Sequence, residues 1–346
     1  MSRLRRAVVL AAVCGFLGAS LTGAPASAAA TGKLSISNPD VLPGSQSVVL
    51  SAIRYKADNA QGMHRTTTLV LRNTGTSSLT VTSLSATGPF TLTSPAARPV
   101  KLKKGESTTV TATFTATTGT KDGQWRSGTG SIRWTSAGKT HKAAIKLSGW
   151  WQKYSEHNLE PSLATLVHRF GYPSKMPANA HTGTGQYKKF SKDEVLSSYW
   201  KRYSSKKSAR ITQLGAFHTY PSGVEVSKYS RGDKNKAFRI FSGHVNDSQS
   251  VLPRRSDGKR GTATFTSKGT FGIKIDSEYS DHRFNNAAAD KAAGCVGTCG
   301  QHVRFFKVRS ANGHVKKGKY IMTMDFSGVN YDFNDNVFLL ENVKPA

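Results

Sequence analysis

Apolar and polar residues alternate with a period of two over long stretches of the chain, and this constrains the fold more than any other feature. Val110, Ala112 and Phe114 alternate with threonines, and Leu69 and Leu71 show the same pattern earlier. Successive side chains of a strand point to opposite faces, so these stretches predict strands with one buried and one wet face. Turn signals separate them, and several short strands at this spacing predict a β-sandwich.

A segment with helical spacing separates two regions of strand pattern. Leu163 and Leu166 lie on one face of a first predicted helix. Ser191 and Glu194 form a capping-box pattern, which predicts a second helix that continues to Trp200. The predicted fold class is mainly β, with two antiparallel β-sandwich domains joined by a short helical segment. The predicted boundaries are 32–151 for an immunoglobulin-like sandwich, 152–208 for the helical connecting segment and 209–346 for a jelly-roll-like sandwich.

The first thirty residues have the three parts of an export signal. Arg3, Arg5 and Arg6 precede an apolar run, and small residues that suit a signal peptidase follow it. The run is shorter than the roughly 20 apolar residues of a spanning helix, and no second long apolar stretch occurs. We therefore predict a signal peptide at 1–30, a secreted protein that is extracellular or associated with the cell wall, and no transmembrane segment.

The chain is strongly basic, with a formal net charge of +29. Long-range attraction then favours polyanionic surroundings. The basic residues are scattered and form no compact motif, so the sequence predicts no specific nucleic-acid partner. Anionic wall polymers are the predicted partners, and a charge that serves solubility and nonspecific adhesion is the alternative.

Cys295 and Cys299 are the only cysteines that follow the predicted signal, and both lie in a glycine-rich stretch. In an exported protein, such a pair predicts a local disulfide. A zinc half-site with His282 or His302 is the alternative, although no second Cys or Cys-His pair completes a closed site.

Short motifs in the first region resemble a known domain family. The stretch 68–75 reads TLVLRNTG, and 79–81, 87–90 and 104–107 follow with LTV, TGPF and KGES. Together they resemble the immunoglobulin-like ASH/Hydin-type domains of exported bacterial surface proteins. The resemblance covers roughly 100 residues and implies a spacer or adhesion module without an active site.

Three motifs of the last region also resemble a known module. They are FGIKIDSEYSD at 271–281, HVRFF at 302–306 and the stretch 324–343, which contains NYDFNDNVFLLENV. They resemble an uncharacterised C-terminal module of exported bacterial carbohydrate-associated surface proteins, which accompanies malectin-like and kelch-like domains. The resemblance implies a surface or wall context with a carbohydrate partner, and it implies no reaction.

Oxygen ligands are densest near the end of the chain. Carboxylates and amides at alternate positions can present several hard oxygen ligands to Ca²⁺, so calcium is the predicted cofactor. The alternative is a set of Asx turns that shape a tight strand connection. The predicted ligands are Asp325, Asn330, Asp332, Asn334 and Asp335.

Four further residues are predicted to contact a glycan. Trp150 and Trp151 are adjacent on a predicted strand, so their rings point to opposite faces and we expect one of them to be less buried. Asp276 and Glu278 contribute carboxylates from another strand. Core packing is the alternative for the two rings.

These observations predict a secreted, non-catalytic envelope- or glycan-binding protein with a basic surface. Its predicted partner is an extracellular or cell-wall polysaccharide. A carbohydrate-active hydrolase that uses carboxylates near Glu278 is one alternative, because glycoside hydrolysis needs two carboxyl groups. A purely structural surface protein is the other. The motifs of serine hydrolases, zinc proteases and phosphate-binding loops do not occur in the sequence.

Overall fold

The computed structural model describes residues 31–40, 46–56, 59–61, 64–117, 122–154, 159–177 and 185–346. The predicted signal peptide lies outside these residues. The described chain is mainly β and forms two sandwiches of two sheets each, as the strand pattern predicts. No helix in this part of the chain is long and apolar enough to cross a membrane.

The first sandwich pairs a four-stranded sheet with a six-stranded sheet. Its strands are β1 (Leu34–Ser37), β2 (Ser47–Lys56), β3 (Asn59–Gln61), β4 (Thr66–Asn73), β5 (Leu79–Ala86), β6 (Phe90–Thr93), β7 (Val100–Leu102), β8 (Ser107–Phe114), β9 (Gln124–Ser136) and β10 (Lys139–Gln152). The strand orders are β1-β4-β8-β6 and β3-β2-β10-β9-β5-β7.

Burial along these strands follows the period of two seen in the sequence. Leu69 and Leu71 of β4 are fully buried, and Val110 of β8 lies opposite Leu69 in the sheet. Phe114 lies against Gly149 of the facing sheet. A Cβ atom at Gly149 would lie 2.6 Å from the Phe114 ring, so glycine permits this close approach.

Strand β10 connects the first sandwich to the rest of the molecule. It pairs antiparallel with β9 along its length and parallel with β2 over residues 146–152. Its consecutive tryptophans point to opposite faces, as a strand requires. Trp151 packs inside the first sandwich, whereas Trp150 packs against the second domain.

The second sandwich contains two six-stranded sheets. Its strands are β11 (Trp200–Arg202), β12 (Ala209–Phe217), β13 (Glu225–Ser230), β14 (Asp233–Ser242), β15 (Gln249–Val251), β16 (Thr262–Phe265), β17 (Phe271–Ile275), β18 (Glu278–Tyr279), β19 (Val303–Arg309), β20 (Val315–Met324), β21 (Asn336–Glu341) and β22 (Val343–Pro345). One sheet has the order β14-β13-β17-β11-β22, with β18 paired to β17. The other has the order β15-β12-β21-β20-β19, with β16 paired to β12.

Short helices complete the second domain. They are α1 (Leu163–Arg169), α2 (Ala287–Ala292) and the 3₁₀ turns Val245–Asp247 and His282–Phe284. Helix α1 confirms the first predicted helix of the connecting segment. Its buried residues Leu163, Leu166 and Val167 are those at helical spacing.

The second predicted helix of the connecting segment is wrong. Glu194 forms a β-bridge with Phe306, and the backbone N–H of Val195 donates to the carbonyl of Phe305 at 2.8 Å. Trp200 then begins strand β11 and is fully buried. Backbone pairing with β19 and β17 therefore overrides a local capping pattern that has no tertiary information.

A hydrophobic core joins the two sandwiches. Val49 and Trp150 come from the outer face of the first domain, and Leu166 comes from α1. Phe306 and Leu339 come from the sheet that contains β12 and β19 to β21. The other face of this sheet packs inside the second sandwich, so the sheet is buried on both faces.

Polar contacts reinforce this junction. The backbone N–H of Val251 donates to Ser51 Oγ at 3.1 Å, and Arg169 donates to Ser127 Oγ at 3.0 Å. Both contacts link the first sandwich to the part of the chain that follows it. The junction therefore has defined polar partners around its apolar centre.

We expect Trp150→Ala to lower the free energy of unfolding by about 3–5 kcal/mol, because it removes a large ring from a filled interdomain core. Urea unfolding followed by circular dichroism measures the change. Tyr203→Ala is the matched control, since Tyr203 is 47% exposed. A loss no larger than that of the control would show that the two sandwiches do not stabilise each other through this ring.

Candidate functional site

A cleft of about 340 Å³ lies between the two sandwiches. This volume falls in the range of small-molecule sites, about 300–1,000 Å³. The first domain lines it with Pro39, Asp40, His64 and Thr66 to Thr68. The second domain lines it with Thr212, Gln213, Leu252 to Arg254, Gly258 and Arg260 to Thr262. The lining is therefore polar, and neither domain forms the cleft without the other.

Asp40 is the acidic centre of the cleft and contacts both domains. His64 Nε2 lies 3.2 Å from Asp40 Oδ2, and the Arg260 guanidinium lies 3.5 Å from Asp40 Oδ1. Burial acts to raise the pKa of Asp40, but the hydrogen bond and charge of His64, with the charge of Arg260, hold it below its usual value. Asp40 is therefore a carboxylate at neutral pH. Its partner Arg260 is 46% exposed and accessible to a ligand.

Gln213 contributes a buried polar atom without a protein partner. Its side-chain amide donates to Asn336 Oδ1 at 2.8 Å, whereas its Oε1 atom has no partner although the residue is 1% exposed. A buried carbonyl oxygen without a partner is unfavourable by about 1–3 kcal/mol, and this oxygen is too deeply buried for a ligand in the cleft to reach it. Thr212 and Thr262 add two hydroxyls that bond each other at 3.1 Å.

The backbone beside the cleft is strained at one position. Leu252 has a φ of 48°, which is uncommon for a residue other than glycine. Its N–H donates to the carbonyl of Leu214 at 2.9 Å, which holds it in place. Such strain concentrates at binding and catalytic sites.

A basic hairpin forms the rim of the cleft on the second domain. Arg254 pairs with Arg260 across it. Arg254 donates to Asp247 at 2.8 Å, and Arg255 donates to Asp257 at 3.1 Å. These two arginines are therefore engaged with acids of the second domain, whereas Arg260, which also lines the cleft, pairs with Asp40 of the first domain.

A second polar cluster is buried inside the second domain around His302. His302 Nδ1 lies 2.5 Å from Glu278 Oε2, and His302 Nε2 lies 2.7 Å from Asp290 Oδ1. Tyr331 donates its hydroxyl to the same Asp290 oxygen at 2.7 Å. The cluster connects β18, α2, the start of β19 and the loop between β20 and β21.

The protonation of this cluster follows from its geometry. Burial acts to lower the pKa of His302, but the hydrogen bonds and charges of Glu278 and Asp290 outweigh it and raise the pKa. Burial acts to raise the pKa of Glu278, but the bond and charge of His302 and the bonds from Ser327 hold it below its usual value. His302 is therefore an imidazolium between two carboxyl groups.

Ser327, His302 and Asp290 lie at the distances of a nucleophile, a base and an orienting carboxylate. Ser327 Oγ is 2.9 Å from His302 Nδ1. Glu278 competes for the same ring nitrogen, and it accepts both the hydroxyl and the N–H of Ser327, at 3.0 and 3.3 Å. His302 then has no lone pair to take a proton, as a base in a triad must. The arrangement favours a structural cluster.

The structure places the two predicted glycan-contacting tryptophans in cores. Trp150 is 4% exposed and Trp151 is 1% exposed, and the indole N–H of Trp150 donates to Gln152 at 2.9 Å. The expectation that one ring presents a face to a sugar is wrong, because the second domain covers the outer face of β10. Trp125, which packs edge-on against Trp150 at 5.3 Å between centroids, is half-buried at the same junction.

The two carboxylates that are predicted to bind a ligand, Asp276 and Glu278, have different surroundings. Glu278 is 3% exposed and belongs to the His302 cluster, so it does not reach a surface ligand. Asp276 is half-buried in the turn between β17 and β18, and its Oδ1 accepts the N–H of Glu225 at 2.6 Å. Burial, with the charges of Glu225 and Glu278, raises the pKa of Asp276.

The five predicted calcium ligands lie in and beside the loop between β20 and β21. Asn330 is exposed, whereas Asp325, Asn334 and Asp335 are buried. Asp332 Oδ1 accepts the N–H of Asn334 at 3.3 Å, which is the bond of an Asx turn, and Asp325 accepts the N–H of Phe333 at 2.8 Å across the loop. No group of three or more His, Cys, Asp or Glu side chains in the described residues is arranged to hold a metal ion. Calcium at this loop stays a prediction.

Burial raises the pKa of two of these acids, which favours their uncharged form. It raises the pKa of Asp325 to about 7. Burial, with the charges of Asp325 and Asp332, raises the pKa of Asp335 well above its usual value. Either protonation or a bound cation would relieve the repulsion between these carboxylates. A higher melting temperature in calcium than in chelator would indicate a cation, and equal melting temperatures would indicate protonation.

The predicted disulfide is confirmed. Cys295 and Cys299 are joined, which removes the thiolates that a zinc site needs. The loop that they close supports the cluster, since the N–H of Cys295 donates to the carbonyl of Asp290 at 2.9 Å. Next to it, a Cβ atom at Gly300 would lie 2.2 Å from the His282 carbonyl, so this position needs glycine.

Sequence reasoning missed the cleft. Asp40, His64 and Gln213 are isolated polar residues in strand patterns, and no spacing connects them. The sequence contains one signal, a run of basic residues around Ser256-Asp257-Gly258 that predicts a basic hairpin turn. Which part of the first domain faces that hairpin is a property of the packing.

Comparisons with known proteins place the chain in no family. No family description matches it, and no curated protein matches it. Among solved structures, the YadV chaperone is 15% identical with a TM-score of 0.27, covering 82% of this chain and 96% of that one. The periplasmic chaperone SfaE is 7% identical with a TM-score of 0.26 and the same coverage.

A protease also appears among these structures. The Vibrio cholerae VesB protease is 18% identical with a TM-score of 0.24 over 34% of this chain. The chain spans 31% of the length of that protease. Similarities this weak carry no argument about function, and the resemblance to ASH/Hydin-type domains stays a prediction.

We expect Glu278→Gln to lower the free energy of unfolding by about 3–5 kcal/mol, because it leaves a buried imidazolium with a weaker partner. The raised pKa of His302 also predicts a pH dependence. Its stabilisation is fully present below the unfolded pKa of about 6.5 and is lost as the pH rises through the folded pKa. Urea titrations from acid to alkaline pH measure both effects.

Two variants control this experiment. Glu225→Gln removes a carboxylate that is 50% exposed and should change stability little. His302→Gln should flatten the slope of stability against pH. An unchanged slope in His302→Gln would show that His302 is not held as an imidazolium.

Proposed function

We propose that this is a secreted, non-catalytic protein that binds an acidic extracellular or cell-wall polysaccharide in the cleft between its two sandwiches. The observation that carries the proposal is the polar interdomain cleft, which Arg260 lines from the second domain and Asp40 and His64 line from the first. Secretion and the polysaccharide partner are the expectations drawn from the sequence. The cleft is the place where the geometry best fits them.

The chemistry of the cleft suits an acidic sugar. Arg260 offers a planar guanidinium for a carboxylate or phosphate group. Asp40 offers acceptors for sugar hydroxyls, and the Thr66 and Thr68 side chains on the exposed side of β4 offer further hydroxyls. Among the described residues, no Phe, Tyr or Trp ring lines the cleft, so recognition there depends on hydrogen bonds and charge.

The overall charge supports the same partner class. A net charge of +29 attracts polyanions over long distances and raises their local concentration at the surface. This attraction between exposed charges weakens with salt. Hydrogen bonds inside the cleft depend less on long-range charge and should resist salt better. The salt dependence of binding therefore distinguishes specific binding from general adhesion.

The hydrolase alternative receives less support. Its carboxylate, Glu278, is buried and bonded to His302 and Ser327, so a glycosidic bond cannot reach it in this arrangement. Turnover of a glycan that Glu278→Gln abolishes without unfolding would favour that alternative. The third possibility, a purely structural surface protein, would be favoured if no saturable ligand is found.

We expect Arg260→Ala to weaken binding of an acidic oligosaccharide about tenfold or more, because it removes the charge-assisted contact of the cleft. Isothermal titration calorimetry on the mature protein, with a purified oligouronate at low and high salt, measures the affinity. Lys259→Ala is the matched control, since Lys259 is 78% exposed on the same hairpin and contacts Asp257.

Equal losses in Arg260→Ala and Lys259→Ala, or binding that disappears at high salt, would contradict a specific site in the cleft.

A further inference from the structure

The outer face of the second sandwich carries a cluster of aromatic rings. Phe271, Ile273 and Ile275 of β17 point into the core, so Gly272 and Lys274 between them point outward. Tyr229 pairs with Gly272, and Tyr279 pairs with Lys274, so both rings are on this outer face. We name Tyr199, Tyr229, Tyr279 and Phe284 the aromatic platform.

The rings of the platform contact one another. Tyr279 lies 5.4 Å from Tyr229 and 5.7 Å from Phe284, both edge to face. Tyr199 lies 6.0 Å from Tyr229. Tyr199 and Tyr229 are buried beneath, whereas Tyr279 and Phe284 are half-exposed. The two outer rings therefore present apolar faces on a rigid base.

Hydrogen bonds hold the base of the platform. The Tyr199 hydroxyl donates to Asp281 Oδ2 at 2.7 Å, and the Tyr229 hydroxyl accepts the N–H of Asp281 at 3.1 Å. A Cβ atom at Gly272 would lie 2.1 Å from the Tyr229 ring, so this ring lies flat on the strand only because position 272 is glycine. The platform is thus organised before any ligand binds.

Cationic groups stand over the rings. Lys234 Nζ is 5.3 Å from the centroid of Phe284 and 5.8 Å from that of Tyr279. Lys274 Nζ is 5.4 Å from the centroid of Tyr279. The Arg231 guanidinium stands 5.5 Å from the Tyr199 ring at the tip of the β13–β14 hairpin. An anionic ligand would therefore meet ammonium groups at the two outer rings, and these flexible side chains move aside when a sugar ring stacks.

We propose that the aromatic platform is a second binding surface, for an acidic polysaccharide. A sugar ring stacks its C–H face on Tyr279 or Phe284, and its acidic group pairs with Lys234 or Lys274. The surface is distinct from the interdomain cleft, and it does not depend on ligand binding there.

Asp276 favours a sugar over the other polyanions. It is half-buried in the turn that follows β17, close enough to Lys274 for their charges to interact. Its carboxylate can accept bonds from sugar hydroxyls, which the backbone of DNA does not have. The deeper rings are buried and the two outer rings are half-buried, which does not suit insertion into a bilayer.

The test uses Arg260→Ala protein, in which the cleft is disabled, so that the remaining binding reports the platform. Calorimetry with an oligouronate and with a neutral glucan of equal length gives affinity and stoichiometry. We expect saturable binding of the oligouronate, weakened about tenfold by Tyr279→Ala, as one lost ring contact typically gives. Phe238→Ala is the matched control, because Phe238 is 60% exposed and outside the platform.

A second variant protects the test against loss of folding. Lys234→Glu with Lys274→Glu keeps every ring and reverses the charge, and we expect it to abolish binding while the melting temperature stays near that of the parent. Wild-type protein should bind two equivalents of oligouronate, and a variant with one intact site should bind one. If the platform substitutions, made in the otherwise wild-type chain, leave binding normal while Arg260→Ala binds nothing, the platform proposal fails and the cleft stands.

Two competing ligands complete the experiment. Single-stranded oligothymidylate and vesicles of phosphatidylcholine with phosphatidylglycerol are titrated into the same Arg260→Ala protein. Binding of either that is tighter than that of the oligouronate, and sensitive to Tyr279→Ala, would overturn the assignment to a polysaccharide. Weaker or ring-independent binding of both supports it.

Discussion

The apolar packing between the two sandwiches is the interaction on which the rest of the structure depends. Trp150 lies on the outer face of β10 and packs into a core formed with α1 and the sheet of β12 and β19 to β21. Burial of a side chain of this size contributes a few kcal/mol, and many such side chains meet here. The contact brings His64 of the first domain and Arg260 of the second to the same cleft, so the cleft exists only while the two domains are packed together.

The two candidate binding surfaces use different physical principles. The cleft is concave and offers a guanidinium, a carboxylate and hydroxyls, so it selects by hydrogen bonds. The platform is open and offers rings with ammonium groups above them, so it selects by stacking and charge. An acidic polymer has both kinds of group along its length, and two sites on one protein would raise the avidity for it.

The cluster around His302 has a structural explanation. Two carboxyl groups, an imidazole and a phenol are buried together, and each would be unfavourable alone. Their mutual bonds connect four segments of the second domain, including the helix that the disulfide loop follows. Distances like those of a catalytic triad do not make one here, because Glu278 binds both the histidine and the serine.

The sequence by itself determined the strands, the first helix and the disulfide. Period-two burial in β4 and β8 and the spacing of Leu163 and Leu166 are local properties, and two cysteines four positions apart bond within one loop. Tertiary structure decided the rest. A capping pattern at Ser191 gave way to pairing with β19, because backbone bonds to a neighbouring strand outweigh a local preference. Alternation predicts that one of Trp150 and Trp151 is less buried, but it shows only which side chains share a face and does not show what covers that face. The cleft combines residues of both domains, so only the packing of the two sandwiches forms it, and the platform combines distant segments of the second domain that strand pairing brings together.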